Sequence, residues 1–216
     1  MDTTELKSLF RSVVGDETAP YLWSDAEVYT FMDVTQKLFC RRVGGIQDSR
    51  SGITQLNLTA NQVFADVSPL ILRIKGAQRS DGRPVEILNY EDVFFNDWFA
   101  QRGTPGPLKA IIINENINSI RLFPMLDAAE TLSLVVERMP AETIVGADQQ
   151  IEIDEQHHYH MLDWMKHLAY QKNDAETFDR GKSIEAYNTF MSYVDEARVE
   201  KSRREHKPRT VAYGGI

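Results

Sequence analysis

Residues 24–46, SDAEVYTFMDVTQKLFCRRVGGI, end in a change of hydrophobic rhythm that decides the fold. Val28, Phe31, Met32, Thr35, Leu38 and Phe39 recur every three or four residues, which predicts a helix with one buried stripe. Ser24 or Asp25 supplies a side-chain oxygen for the first free backbone N–H groups, and Gly44-Gly45 offers the left-handed exit on which helices end. Tyr21, Leu22 and Trp23 stand just before it, apolar residues placed to staple the entry turn, with Trp23 read as core. From Ile46 the helical period disappears, and short β-type runs between turn residues replace it.

On the N-terminal side the helical period returns. Leu6, Leu9, Phe10, Val13 and Val14 predict a short helix, capped by Thr3 or Thr4 and followed by Gly15. On the C-terminal side, Leu70, Leu72 and Ile74 alternate with Ile71, Arg73 and Lys75. Ser80-Asp81-Gly82-Arg83-Pro84 then turns the chain towards Val85, Ile87 and Leu88, a hairpin. Residues 90–101 are aromatic and read as a short helical piece, broken by Gly103-Thr104-Pro105-Gly106-Pro107. Three further strands are expected over residues 108–113, 119–123 and 131–137, joined by turns that favour antiparallel pairing.

After Ile151 and Ile153, Asp154 is placed to cap a third helix striped by His158, Met161, Leu162, Met165, Leu168 and Ala169. Beyond Asn173-Asp174 a long fourth helix carries Ile184, Tyr187, Phe190, Met191, Val194 and Ala197 on one face. That stripe fades after Ala197. The run RVEKSRREHKPR, residues 198–209, is basic and polar all round, so the helix projects beyond its core until Pro208 ends it. Helices at both ends with strands between them predict an α+β fold: a four-helix core from both chain ends and an inserted antiparallel β domain, sandwich- or barrel-like. The expected boundaries are a discontinuous helical bundle over 1–45 and 151–207, a β domain over 46–150 and an extended tail over 208–216.

Composition narrows the function. With 42% hydrophobic and 26% charged residues in 216, the chain reads as globular, with room for a sizeable core. A net charge of −8 argues against broad nucleic-acid binding, which needs clustered Lys and Arg. Cys40 stands alone, which excludes an intrachain disulfide framework, gives no support to a Cys-based zinc site and fits a reducing compartment. The start, Met1-Asp2-Thr3-Thr4-Glu5, lacks a signal-peptide pattern, and no apolar run reaches membrane length. A protein made and used in solution is expected, with no membrane partner.

The chemistry-bearing residues are few. His157 and His160 lie one helical turn apart near Asp154 and Asp163, a pattern able to hold a metal. The spacing is not His-x-x-x-His and no glutamate stands as a general base, so capping and packing are the preferred roles and no metal site is assigned. No Gly-x-Ser-x-Gly elbow, phosphate-binding loop or dinucleotide fingerprint occurs, and Glu91-Asp92 reads as solvated surface. Neither catalytic residues nor a cofactor are therefore expected. Phe94, Phe95, Trp98 and Phe99, without interleaved cations, read as interface aromatics. Two other functions stay open: a metal-dependent hydrolase using Asp154, His157 and His160, and a DNA-binding accessory protein acting through Arg198, Lys201, Arg203, Arg204 and Lys207.

Several local patterns follow one another in order: Leu22-Trp23-Ser24-Asp25-Ala26-Glu27, Trp98 followed by Gly103-Thr104-Pro105, and Leu122-Phe123-Pro124 before the strand from Leu132 to Val136. The second half adds Ile151-Glu152-Ile153-Asp154 leading to His160 and Leu162, then Ala169-Tyr170 with Asp174 and Glu176-Thr177. Taken in this order, the patterns resemble the head-to-tail adaptor (connector or neck) proteins of tailed bacteriophages. Asp154 departs from the pattern, where proline is expected at the helix entry. The resemblance implies a structural protein without catalytic residues, located at the head–tail junction of a virion and assembled in the host bacterial cytoplasm. It implies a dodecameric ring that docks on the portal protein, extends the channel for genomic DNA and presents a platform to a tail or nozzle protein. It also implies that the C-terminal segment reaches the portal, through Arg203, Arg204, Lys207, Arg209, Thr210, Val211, Ala212, Tyr213, Gly214, Gly215 and Ile216. The acidic balance suits a lumen that DNA traverses without specific binding.

Overall fold

The computed structural model describes residues 1–94 and 105–205. The chain divides into two compact units, one formed by Met1–Gly44 with Glu142–Ile216 and the other by Gly45–Ala141. The first unit is built from α1 (Thr3–Val14), α2 (Asp25–Val43), α4 (His158–Gln171) and α5 (Arg180–Glu205). α1 starts on a capping box in which Asp2, not Thr3 or Thr4, accepts from the Glu5 N–H while Glu5 reaches back to the Asp2 N–H. Thr3 is buried instead, its hydroxyl donating to the Gly146 carbonyl at 2.9 Å. α2 has the same device at the expected place: Ser24 accepts from the Glu27 N–H, and Glu27 accepts from the Ser24 N–H. The Lys172 ammonium at 2.7 Å and the Ser24 N–H together draw the Glu27 carboxyl down to about 2.

Leu6, Phe10, Trp23, Val28, Met32, Met161, Met165 and Phe190 are the interior of this unit. Trp23 is sealed, its indole N–H donating to the Ala169 carbonyl at 3.2 Å and its ring lying edge-on to Phe10 and Tyr170. The buried face of α5 is narrower than its apolar residues suggest. Ser183, Ala186, Phe190, Val194 and Ala197 point inward, whereas Ile184 and Tyr187 are exposed. Small residues let α5 lie close to α4, so the stripe follows Ser183 and Ala186 and leaves the two larger side chains outside. Asp154 also differs from its expected role. It precedes a 3-10 turn (Glu155–His157), its side chain makes no capping bond, and α4 begins only at His158.

The second unit is a curled mixed sheet, so the α+β class holds. Its strands are β1 (Ile46–Asp48), β2 (Gln55–Leu58), β3 (Phe64–Asp66), β4 (Ile71–Arg79), β5 (Pro84–Asn89), β6 (Ala110–Asn116), β7 (Ser119–Phe123) and β8 (Glu130–Arg138), with the short helix α3 (Tyr90–Phe94) after β5. The order is β1-β8-β4-β5-β6-β7-β3, and β2 shares with β1 the edge of β8 opposite β4. Every pair is antiparallel except β5 with β6, which run parallel because the chain between them passes through α3 instead of a tight turn. Two bulges in β4, between Ile71 and Arg73 and between Ile74 and Gly76, break the expected alternation and turn Leu72 out to solvent. Ile111, Ile120, Leu122, Leu132, Leu134 and Val136 fill the concave side. Asp48 ties β1 to β8, since Arg138 donates to it at 2.5 Å. Burial pushes its carboxyl up, but hydrogen bonds from Ser51, the Arg50 N–H and Arg138 hold it well below the usual range.

Candidate docking surface

α2 and α5 run in the same direction through the helical unit. Phe39 stacks beside Tyr193 with ring centroids 6.3 Å apart, and further along Lys201 donates to the Gly44 carbonyl at 2.8 Å. Gly44 has φ +109°, and a Cβ there would lie 3.0 Å from the Lys201 ammonium nitrogen. Beyond Ala197 no residue of α5 is buried; Lys201 is half-buried and Arg198, Val199, Arg203 and Arg204 are exposed. Arg198 pairs with Asp195 and Arg204 with Glu200, each one turn back on the same helix. The end of α5 is thus a solvated basic surface carried by a helix that has outrun its core.

Of the residues expected at a portal contact, Arg203 and Arg204 lie on this surface, while Lys207, Arg209, Thr210, Val211, Ala212, Tyr213, Gly214, Gly215 and Ile216 lie outside the described residues. Of the interface aromatics, Phe94 is 60% exposed and rests against Tyr90 with ring centroids 5.8 Å apart. Phe95, Trp98 and Phe99 lie outside the described residues, as does the expected helical piece beyond Phe94.

Of the histidines near the start of α4, His157 and His160 both meet Tyr193, whereas His158 turns to the Ile153 carbonyl. His157 Nδ1 meets the Tyr193 hydroxyl at 2.6 Å, and burial lowers the imidazole's basicity. His160 stacks flat on Tyr193, with centroids 3.4 Å apart. His158 is buried and its Nε2 donates to the Ile153 carbonyl at 2.8 Å, leaving Nδ1 without a partner. Burial again lowers the His158 pKa. Among the described residues no group of three or more His, Cys, Asp and Glu side chains is arranged to hold a metal ion. No helix among them is long and apolar enough to cross a membrane.

Two features went unread in the sequence. Arg11 is a buried cation on α1: it reaches Asp16 at 2.6 Å, Asp25 at 2.6 Å and the Trp23 carbonyl at 3.0 Å, and its guanidinium faces the Tyr21 ring. A single arginine in an amphipathic helix gives no sign of burial; the nearby Asp16 and Asp25 were the available signal. The second is a cleft of about 440 Å³ at the start of α5, lined by His167, Phe178, Ile184 and Tyr187 among others.

The described residues thus show two units, a helix end beyond its core and histidines engaged in packing. A family model for the SU10 adaptor protein matches residues 1–212. No curated protein matches the chain. A match over nearly the whole length joins the sequence patterns to this architecture: the chain belongs to the SU10 adaptor protein family, the head-to-tail adaptors of tailed phages.

Proposed function

We propose that this structural adaptor of the virion assembles as a dodecameric ring that docks on the portal, prolongs the DNA channel and offers a platform to a tail or nozzle protein. The observation that carries the reading is the end of α5: eight residues, from Arg198 to Glu205, extend past the last buried position, Ala197, and lead into an 11-residue segment rich in apolar groups. Apart from the Lys201 hydrogen bond to Gly44 and ion pairs within the helix, these two turns bury nothing of the fold, and the surface they present is left for a partner. In this reading the helical bundle of 1–45 and 151–207 holds the docking end, the tail 208–216 reaches the portal, and 46–150 is an inserted domain. Phe94, Phe95, Trp98 and Phe99 then contribute to contacts between subunits or with the tail protein. Assembly takes place in the host bacterial cytoplasm, and DNA passes through an acidic lumen without specific contacts.

Deleting Pro208 to Ile216 tests the docking. The truncated protein is expected to keep its far-UV spectrum and unfolding midpoint and to lose portal binding; undiminished binding would refute the role given to the tail.

A further inference from the structure

Charge is unevenly divided along this chain. Residues 198–205 together with Arg41 and Arg42 hold six basic and two acidic side chains, a net +4, which leaves the remainder of the chain at −12. The fold gathers much of that charge at one place, because the Lys201 hydrogen bond to Gly44 holds the last turns of α2 and α5 side by side. Arg41 and Arg42 occupy the last turn of α2 and are both exposed.

Several of these cations have local duties. Lys201 serves the Gly44 carbonyl, Arg198 faces Asp195 and Arg204 faces Glu200. The guanidinium groups of Arg41, Arg42 and Arg203, by contrast, have no hydrogen-bond or ion-pair partner among the described residues. A helix C-terminus does favour a nearby cation. The end of α2 is already served, by the Gly44 N–H to the Cys40 carbonyl and by the Lys201 ammonium, so two more arginines are surplus to that need.

We propose that Arg41 and Arg42, at the end of α2 that Lys201 of α5 meets, form a basic face that seats an acidic protein surface of the portal. This rests on the portal-docking reading above and extends it to a helix from the other end of the chain. A protein partner fits better than a nucleic acid. Glu196, Glu200 and Glu205 stand among the cations of α5, where a continuous phosphate backbone would have to pass them. Spaced carboxylates on a protein surface can meet the arginines and avoid the glutamates.

The test uses full-length adaptor and its portal, with association followed at about 50 and about 300 mM salt. Wild type should associate at least about tenfold more slowly at the higher salt. The Arg41→Glu/Arg42→Glu protein, in which both positions are exposed, should keep its unfolding midpoint, associate at least about tenfold more slowly at low salt and show a flattened salt dependence. Arg41→Gln/Arg42→Gln should fall between the two. Wild-type association by the reversed variant would overturn the basic face while leaving the tail's role standing if the Pro208–Ile216 deletion still abolishes binding. Absence of any complex with wild type would overturn the docking reading and this face with it. A short DNA duplex is the remaining arm: duplex binding lost in the reversed variant, with portal association unchanged, would assign the face to DNA and refute the proposal.

Discussion

Arg11 shows how much one side chain holds in this bundle. Its guanidinium and the Asp16 carboxylate are both buried, and Asp16 also accepts the Leu22 N–H at 2.8 Å. Removing one member strands the other in a medium that penalises unpaired charge. Arg11→Ala is therefore expected to lower stability by about 3–5 kcal/mol in chemical denaturation, and a loss under about 1 kcal/mol would mean that Asp16 finds water instead. His158 makes a pH prediction. Its folded pKa is below the ordinary value of about 6.5 because burial disfavours the imidazolium, whose second N–H would face no acceptor. The unfolded chain then binds the proton more readily, so this contribution is complete above about pH 6.5 and is lost as the pH falls through that value towards the folded pKa. The unfolding midpoint of wild type should drop on going from about pH 7.5 to about pH 5.5, and His158→Gln, whose amide can still donate to Ile153, should drop less. Equal slopes would place the titration elsewhere.

At the scale of the element, α5 separates hydrophobicity from burial. Phe190 is fully buried against Trp164, so Phe190→Ala should cost about 3–5 kcal/mol. Ile184 is half exposed, and Ile184→Ser should change stability by no more than about 0.5 kcal/mol. Denaturant melts of the two variants decide between this register and one with Ile184 inside. Among the long helices α2 was the most legible in the sequence, because period and caps agreed there: Ser24 opens it and Gly44 closes it. The strands of residues 71–79, 84–89, 110–116, 119–123 and 130–138 were legible for the same reason, through apolar runs bounded by turns. β1, β2 and β3 were not, since three or four residues are too few to display a period, and each is defined by its partner strand. The parallel β5–β6 pair escaped notice because pairing direction depends on the route of the connection, which local patterning does not carry. Likewise the inward face of α5 was read correctly at Phe190, Val194 and Ala197 but began at Ile184 and Tyr187, when close approach to α4 selected Ser183 and Ala186. Of the candidate docking surface, the basic run after Ala197 was visible in the sequence, whereas its alignment with Arg41 and Arg42 depends on a contact spanning 157 residues, Lys201 to Gly44.

For the whole molecule, membership of the adaptor family goes with an excess of acidic side chains. A net −12 outside the basic helix ends disfavours adhesion of DNA, while a net +4 over Arg41, Arg42 and residues 198–205 favours oriented capture of an acidic partner. A docking step of that kind should be reversible by salt before the ring is complete and resistant afterwards, when many weak contacts act together. A salt challenge before and after portal binding, followed by sedimentation, is expected to release early complexes and spare finished ones. The most direct measurement of the central claim is electron microscopy of the purified protein mixed with its portal. The account predicts a second ring of twelve adaptor subunits stacked coaxially on the portal, with the C-terminal ends of α2 and α5 at the junction. Portal rings without an added layer, or an adaptor layer attached through the β unit, would contradict it.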